Sequence, residues 1–108
     1  MHKILSAIVL LAAIALAASL ASAQDVANGQ RTYNAKCASC HGPDGKGQTA
    51  AGKTTKVRDF HWDEVKKESD AVWTEIIVKG KNGMPGYDHR LSDAEVKDVL
   101  AYIRTLVK

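Results

Sequence analysis

The chain has 108 residues, with 15 Lys plus Arg against 12 Asp plus Glu and a formal net charge of +3. That length suits a single domain. Charge so close to balance, with no basic block interleaved with aromatics, argues against nucleic-acid binding.

The first segment is Met1-His2-Lys3, then an apolar run over residues 4–20, then Ala21-Ser22-Ala23. A short positive end, a greasy middle and a small-x-small site form a secretory signal. The competing reading is an uncleaved anchor, because the run is just long enough to cross a bilayer, which takes about 20 apolar residues. The expectation is cleavage after Ala23, leaving a periplasmic, monomeric domain over residues 24–108 with no membrane attachment. Loss of Lys3 would lower the formal charge from +3 to +2.

A helix is expected over residues 25–36. Val26, Gly29, Tyr33 and Cys37 recur at spacings of three and four and share one face. Gly29 costs helix propensity, and a close approach by another helix would explain it. Residues 42–56 read as a loop, since Gly42, Gly45, Gly47 and Gly52 with Pro43 rule out a long helix. Residues 59–68 are ambiguous and allow a short helix. After them Ser69 or Asp70 can cap a helix with the apolar stripe Val72, Trp73, Ile76 and Ile77, stopped by Lys79 and Gly80.

Residues 81–87, Lys-Asn-Gly-Met-Pro-Gly-Tyr, form an irregular loop by their Gly and Pro content. The last helix carries the clearest local signal. Ser92-Asp93-Ala94-Glu95 is a capping box, and Leu91 and Val96 sit where a hydrophobic staple would. Val96, Val99, Leu100, Ile103 and Leu106 follow the 3.6-residue period. No strand pair with a hairpin signal is visible.

The chemistry centres on Cys37-Ala38-Ser39-Cys40-His41, which holds the only cysteines. A structural disulfide across so short a gap would close too small a loop to stabilise much. A thiol-redox pair needs a βαβ context, and a zinc site needs four ligands. His41 directly after Cys40 decides between these readings, because C-x-x-C-H is the attachment pattern of c-type haem. Two thiols three residues apart on one turn can each form a thioether to one edge of the ring. The next side chain is then delivered to the iron. One haem c per chain is expected, and a buried haem would also supply a rigid apolar body to a domain whose own core is marginal.

The candidates for a second iron ligand are Met84, His61 and His89. Met84 is the only Met after residue 23. A lone Met is commonly core filler, but this one stands between Gly83 and Pro85 in a stiff loop and not on an apolar stripe. A Met ligand would raise the potential, and a six-coordinate iron suits electron transfer. His61 and His89 have charged neighbours and read as solvated imidazoles; bis-His ligation is the runner-up.

With these residues in place, the chain resembles a class I cytochrome c of the small bacterial type over nearly all of residues 25–108. The likeness rests on Gly29 and Tyr33 before Cys37, on Cys37 to Gly42 followed by Asp44-Gly45-Lys46-Gly47, and on Val57-Arg58-Asp59 with Trp62 and Ser69-Asp70-Ala71. It rests equally on Ile76-Ile77, Gly80 and Gly83-Met84-Pro85, and on Val99 to Ile103. The resemblance implies an all-α fold with crossed first and last helices, Gly29 and Tyr33 against Val99 and Tyr102, shorter helices around one haem, and one exposed haem edge. One departure stands out. Many members carry a Pro in the loop after the attachment site whose carbonyl accepts from the ligand His, whereas this chain has only Pro43 and Pro85. A buried ligand His normally has such a partner, so a backbone oxygen from residues 50–56 is expected at His41 Nδ1.

The expected function is a soluble, non-enzymatic, one-electron carrier between redox partner proteins. Cys37 and Cys40 attach the haem, and His41 and Met84 ligate the iron. Lys46, Lys79 and Lys81 fall in segments that could ring the haem edge, against a default of solvated surface lysines. The rival readings are a ligand-binding haem protein and a haem subunit of a larger respiratory enzyme.

Overall fold

The computed structural model describes residues 24–108. The expected signal segment and its cleavage after Ala23 lie outside them. Six helices follow in order: α1 Val26–Lys36, α2 Ala38–His41, α3 Ala50–Thr55, α4 Asp63–Lys66, α5 Asp70–Lys79 and α6 Asp93–Leu106. Among the described residues the one β feature is an isolated antiparallel bridge between Lys81 and Met84. The fold is therefore all-α. No helix among these residues is long and apolar enough to cross a membrane.

Helices α1 and α6 form the frame. Asp25 caps α1 by accepting from the Asn28 amide at 2.9 Å. The expected capping box is present at α6, with Glu95 N donating to Ser92 Oγ at 3.1 Å and Ser92 N to Glu95 Oε1 at 3.0 Å. The crossing itself occurs at Gly29, where a Cβ would overlap the Asp98 carbonyl. Beside it the Tyr33 and Tyr102 rings meet at 5.3 Å between centroids. Asp98 then fastens the N-terminal end of α1, accepting from Asp25 N at 2.8 Å and Asn28 Nδ2 at 2.9 Å.

The core lies between this crossing and α5. Tyr33, Val65, Trp73, Ile77, Tyr87, Leu91, Val96, Val99, Leu100 and Ile103 are buried in one cluster. Of the stripe on α5, Trp73 and Ile77 enter this core, while Val72 is 40% exposed. Arg104 ties α6 to the stretch before α5. Its guanidinium donates to Asp70 Oδ1, Lys66 O and Glu68 O at 3.0, 3.0 and 2.7 Å and lies 3.6 Å from the centre of the Trp73 ring.

The segment read as one loop over residues 42–56 contains α3. Thr49 caps it, accepting from Gly52 N at 2.8 Å. Gly52 is the reason a helix fits there, since a Cβ would strike the carbonyls of Cys40 and Gly47. Gly52 thus serves close packing against the attachment turn and does not break the helix.

Candidate haem site

Cys37 closes α1 and opens the single turn α2, which ends at His41. The turn is pinned from several sides. His41 N donates to Cys37 O at 3.0 Å, Gly47 N to His41 O at 2.8 Å, and Thr49 Oγ1 to Cys40 O at 3.0 Å. Two phenols hold its ends. Tyr33 Oη donates to Gly42 O at 2.5 Å, and Tyr87 Oη donates to Lys36 O at 3.0 Å.

Cys37, His41 and Met84 line one open cleft of about 1070 Å³, a volume that includes the solvent at its mouth. Its walls are mostly apolar, including Phe60, Val65, Trp73, Ile76, Ile77, Leu91 and Ile103. Cys40, half-buried on the same turn, is not among the lining residues. Met84 stands in a tight reversal. Met84 N donates to Lys81 O at 3.0 Å and Lys81 N to Met84 O at 3.1 Å. Gly80 takes a positive φ of 79° there, and a Cβ on it would meet Met84 O at 2.6 Å.

The residues fit a haem. The two thiols are free, without a disulfide between them. Burial pushes the Cys37 thiol up to about 11, with Lys36 opposing and Cys40 adding to the shift. Burial holds the His41 imidazole below its usual value, hence neutral at pH 7, which is the form that offers a lone pair to a metal. The His41 ring is stacked on Phe60 at 4.7 Å and 20°. Its Nδ1 is buried and makes no hydrogen bond.

That last observation corrects an expectation. Residues 50–56 do not supply a carbonyl to His41, because they form α3 and its cap. Ala50 O accepts from Thr54 Oγ1, Ala51 O from Thr55 Oγ1, and Gly52 O from Val57 N. His61 is also not the free imidazole its neighbours suggested. Its Nδ1 lies 2.8 Å from Asp59 Oδ1 and its Nε2 lies 3.0 Å from Leu106 O, so it joins the loop before α4 to the end of α6. It does not line the cleft. His89 is 93% exposed, as read.

Charge at the cleft differs from the expectation in part. Lys81 lines it, but Lys46 and Lys79 do not, and Lys79 pairs with Glu75 at 3.1 Å. Lys56 and Arg58 line it instead, and no Asp or Glu does. Arg58 is aimed by Glu68, whose Oε1 accepts from Arg58 at 2.9 Å and from Trp73 Nε1 at 3.2 Å. Val57-Arg58-Asp59 was legible only as part of a family-like segment. No local pattern marks the pairing with Glu68.

The family described as cytochrome c oxidase, cbb3-type, subunit III matches residues 24–103. Cytochrome c6 of Limnospira maxima is 37% identical over 73 residues, covering 66% of this chain and 81% of that protein. The cbb3-type cytochrome c oxidase subunit CcoP of an Azospirillum species is 31% identical over 79 residues, which cover 68% of this chain but only 26% of the subunit. Among solved structures, the KustC0563 c-type cytochrome superposes with a TM-score of 0.68 at 32% identity, covering 74% of this chain and 98% of that one. Cytochrome c6 of the diatom Phaeodactylum tricornutum gives 0.57 at 31% identity, covering 75% and 92%. Family match, relatives and helical architecture agree: the chain belongs to the class I c-type cytochromes, a family whose cofactor is haem c.

Proposed function

We propose that this chain is an exported one-electron carrier with one haem c, held through Cys37 and Cys40 and ligated by His41 and Met84. The observation that carries the reading is the placement of His41 and Met84 on one apolar cleft. Haem c, when bound, supplies a one-electron iron couple that makes and breaks no substrate bond. The chain's part is positional and electrostatic. Burial keeps His41 neutral, Phe60 fixes its ring plane, and the reversal at Gly80 to Pro85 presents the thioether. Apolar walls exclude water, which favours the less charged ferrous state.

A redox titration of the purified holoprotein with ligand-state spectra tests the assignment. The expected result is a single one-electron wave with a red-edge sulfur-to-ferric-iron band. Met84→Ala is expected to abolish the band and lower the potential sharply; a variant that keeps both sinks the ligand assignment. Lys56, Arg58 and Lys81 at the cleft suit an acidic redox partner. Association rates are then expected to fall as salt rises, and a flat dependence rejects docking through these groups.

A second reading, a haem subunit of a larger respiratory enzyme, is favoured by the oxidase-subunit description of the family and by the CcoP relative, of which this chain spans about a quarter. Co-purification from the native membrane fraction tests it. Carbon monoxide binding to the reduced protein at neutral pH tests the remaining alternative, a ligand-binding haem protein.

A further inference from the structure

We propose that Tyr87 is the positioning residue that holds the Met84 loop closed over the cleft, through its hydroxyl on the residue before Cys37. The inference rests on the reading of Met84 as an iron ligand. Tyr87 is the C-terminal stem of that loop and has three anchors. Its amide donates to Ile77 O at 3.0 Å, its carbonyl accepts from Leu91 N at 2.9 Å, and its hydroxyl donates to Lys36 O at 3.0 Å. The first two fasten the stem to α5 and to the approach to α6. Only the third ties it to the turn carrying Cys37 and His41.

The hydroxyl is the one polar side-chain atom of a residue that is 9% exposed and packed in the core. It satisfies a carbonyl at the C-terminal end of α1, where intrahelical partners run out. A hydrogen bond between segments so distant in sequence acts on the loop's opening equilibrium. When the loop swings away, the bond is lost with it, and its net contribution biases the closed state. The geometry separates this role from packing, because Tyr87→Phe keeps the ring and removes only the oxygen.

Exogenous imidazole competes with Met84 for the ferric iron, so its apparent affinity reads the open population. For the holoprotein, Tyr87→Phe is expected to raise imidazole affinity about fivefold, the scale of one net hydrogen bond. The sulfur-to-iron band is also expected to disappear at a lower temperature, ahead of global unfolding. Asp25→Ala weakens the cap of α1 at the end of that helix away from Lys36, and serves as the control for general destabilisation. It should lower the unfolding midpoint and leave imidazole affinity unchanged.

Two results overturn the proposal while leaving Met84 ligation intact. Either Tyr87→Phe binds imidazole as the wild type does, or Asp25→Ala raises the affinity equally. A wild-type holoprotein that lacks the sulfur band overturns both readings, since the loop would then hold no ligand in place.

Discussion

At the scale of single residues, Gly29 shows how a costly choice becomes a requirement. Ala in its place would gain about 1 kcal/mol of helix propensity. Its Cβ, however, would overlap the Asp98 carbonyl, which is backbone and has no rotamer to escape into. Overpacking of this kind costs about 1–3 kcal/mol, and a clash with backbone belongs at the upper end. Gly29→Ala is expected to lose about 1–2 kcal/mol net, measured as a lower denaturant midpoint of the holoprotein. The sequence made this position legible through its conflict with local propensity. His61 was not legible in the same way. Charged neighbours suggested solvent, whereas one neighbour, Asp59, is its partner and the other partner is a backbone carbonyl 45 residues further on. A backbone acceptor leaves no mark in a side-chain pattern. The missing partner of His41 failed for a related reason. The expectation took residues 50–56 for a loop with free carbonyls, but a short helix uses those oxygens internally.

At the scale of elements, periodicity and caps located α1, α5 and α6 almost to the residue. Each has a side chain that satisfies an end amide, from Asp25, Ser69 and Ser92 respectively. Helix α3 escaped because Gly normally marks a break, and only the close approach of the Cys40 carbonyl turns Gly52 into a helix residue. The tie between α5 and α6 was equally invisible. Arg104 spends three N–H groups on one side-chain and two main-chain oxygens while its plane covers Trp73. A lysine offers no such fork. Arg104→Lys is expected to cost about 1–2 kcal/mol, from lost charge-assisted bonds and stacking together. The loss should appear in thermal unfolding and be larger than for Lys97→Arg on an exposed position of the same helix.

At the scale of the whole molecule, depressed carboxylates set the acid limit, Glu68 and Asp98 among them. The Arg58 guanidinium holds Glu68 below the usual range despite opposing desolvation. The Asp25 amide and the Asn28 side chain do the same for Asp98. A carboxylate depressed in the folded state adds stability that is fully present above its unfolded value of about 4. That stability is lost as pH falls through the lower folded value. Stability should therefore decline below about pH 4, and Glu68→Gln should flatten that decline while lowering stability at pH 7.

The cleft sets a second global limit, and it follows from how the core is shared. Val65, Trp73, Ile77, Leu91 and Ile103 belong both to the buried cluster and to the cleft walls. Without a body in that cleft, the same side chains that close the core face an open, solvent-filled cleft. At about 25 cal/mol per Å² of apolar surface left in contact with water, each ~100 Å² so exposed costs about 2–3 kcal/mol. Domains of this size have only about 5–15 kcal/mol in total. Apart from the α1–α6 crossing, α4 and α5 are held chiefly by Arg104 and by side chains of that shared wall. Haem-free chain is expected to show reduced helical far-UV circular dichroism and no cooperative thermal transition, with both restored on haem attachment. A near-native spectrum and a sharp transition in the haem-free chain would show that the crossing alone carries the fold.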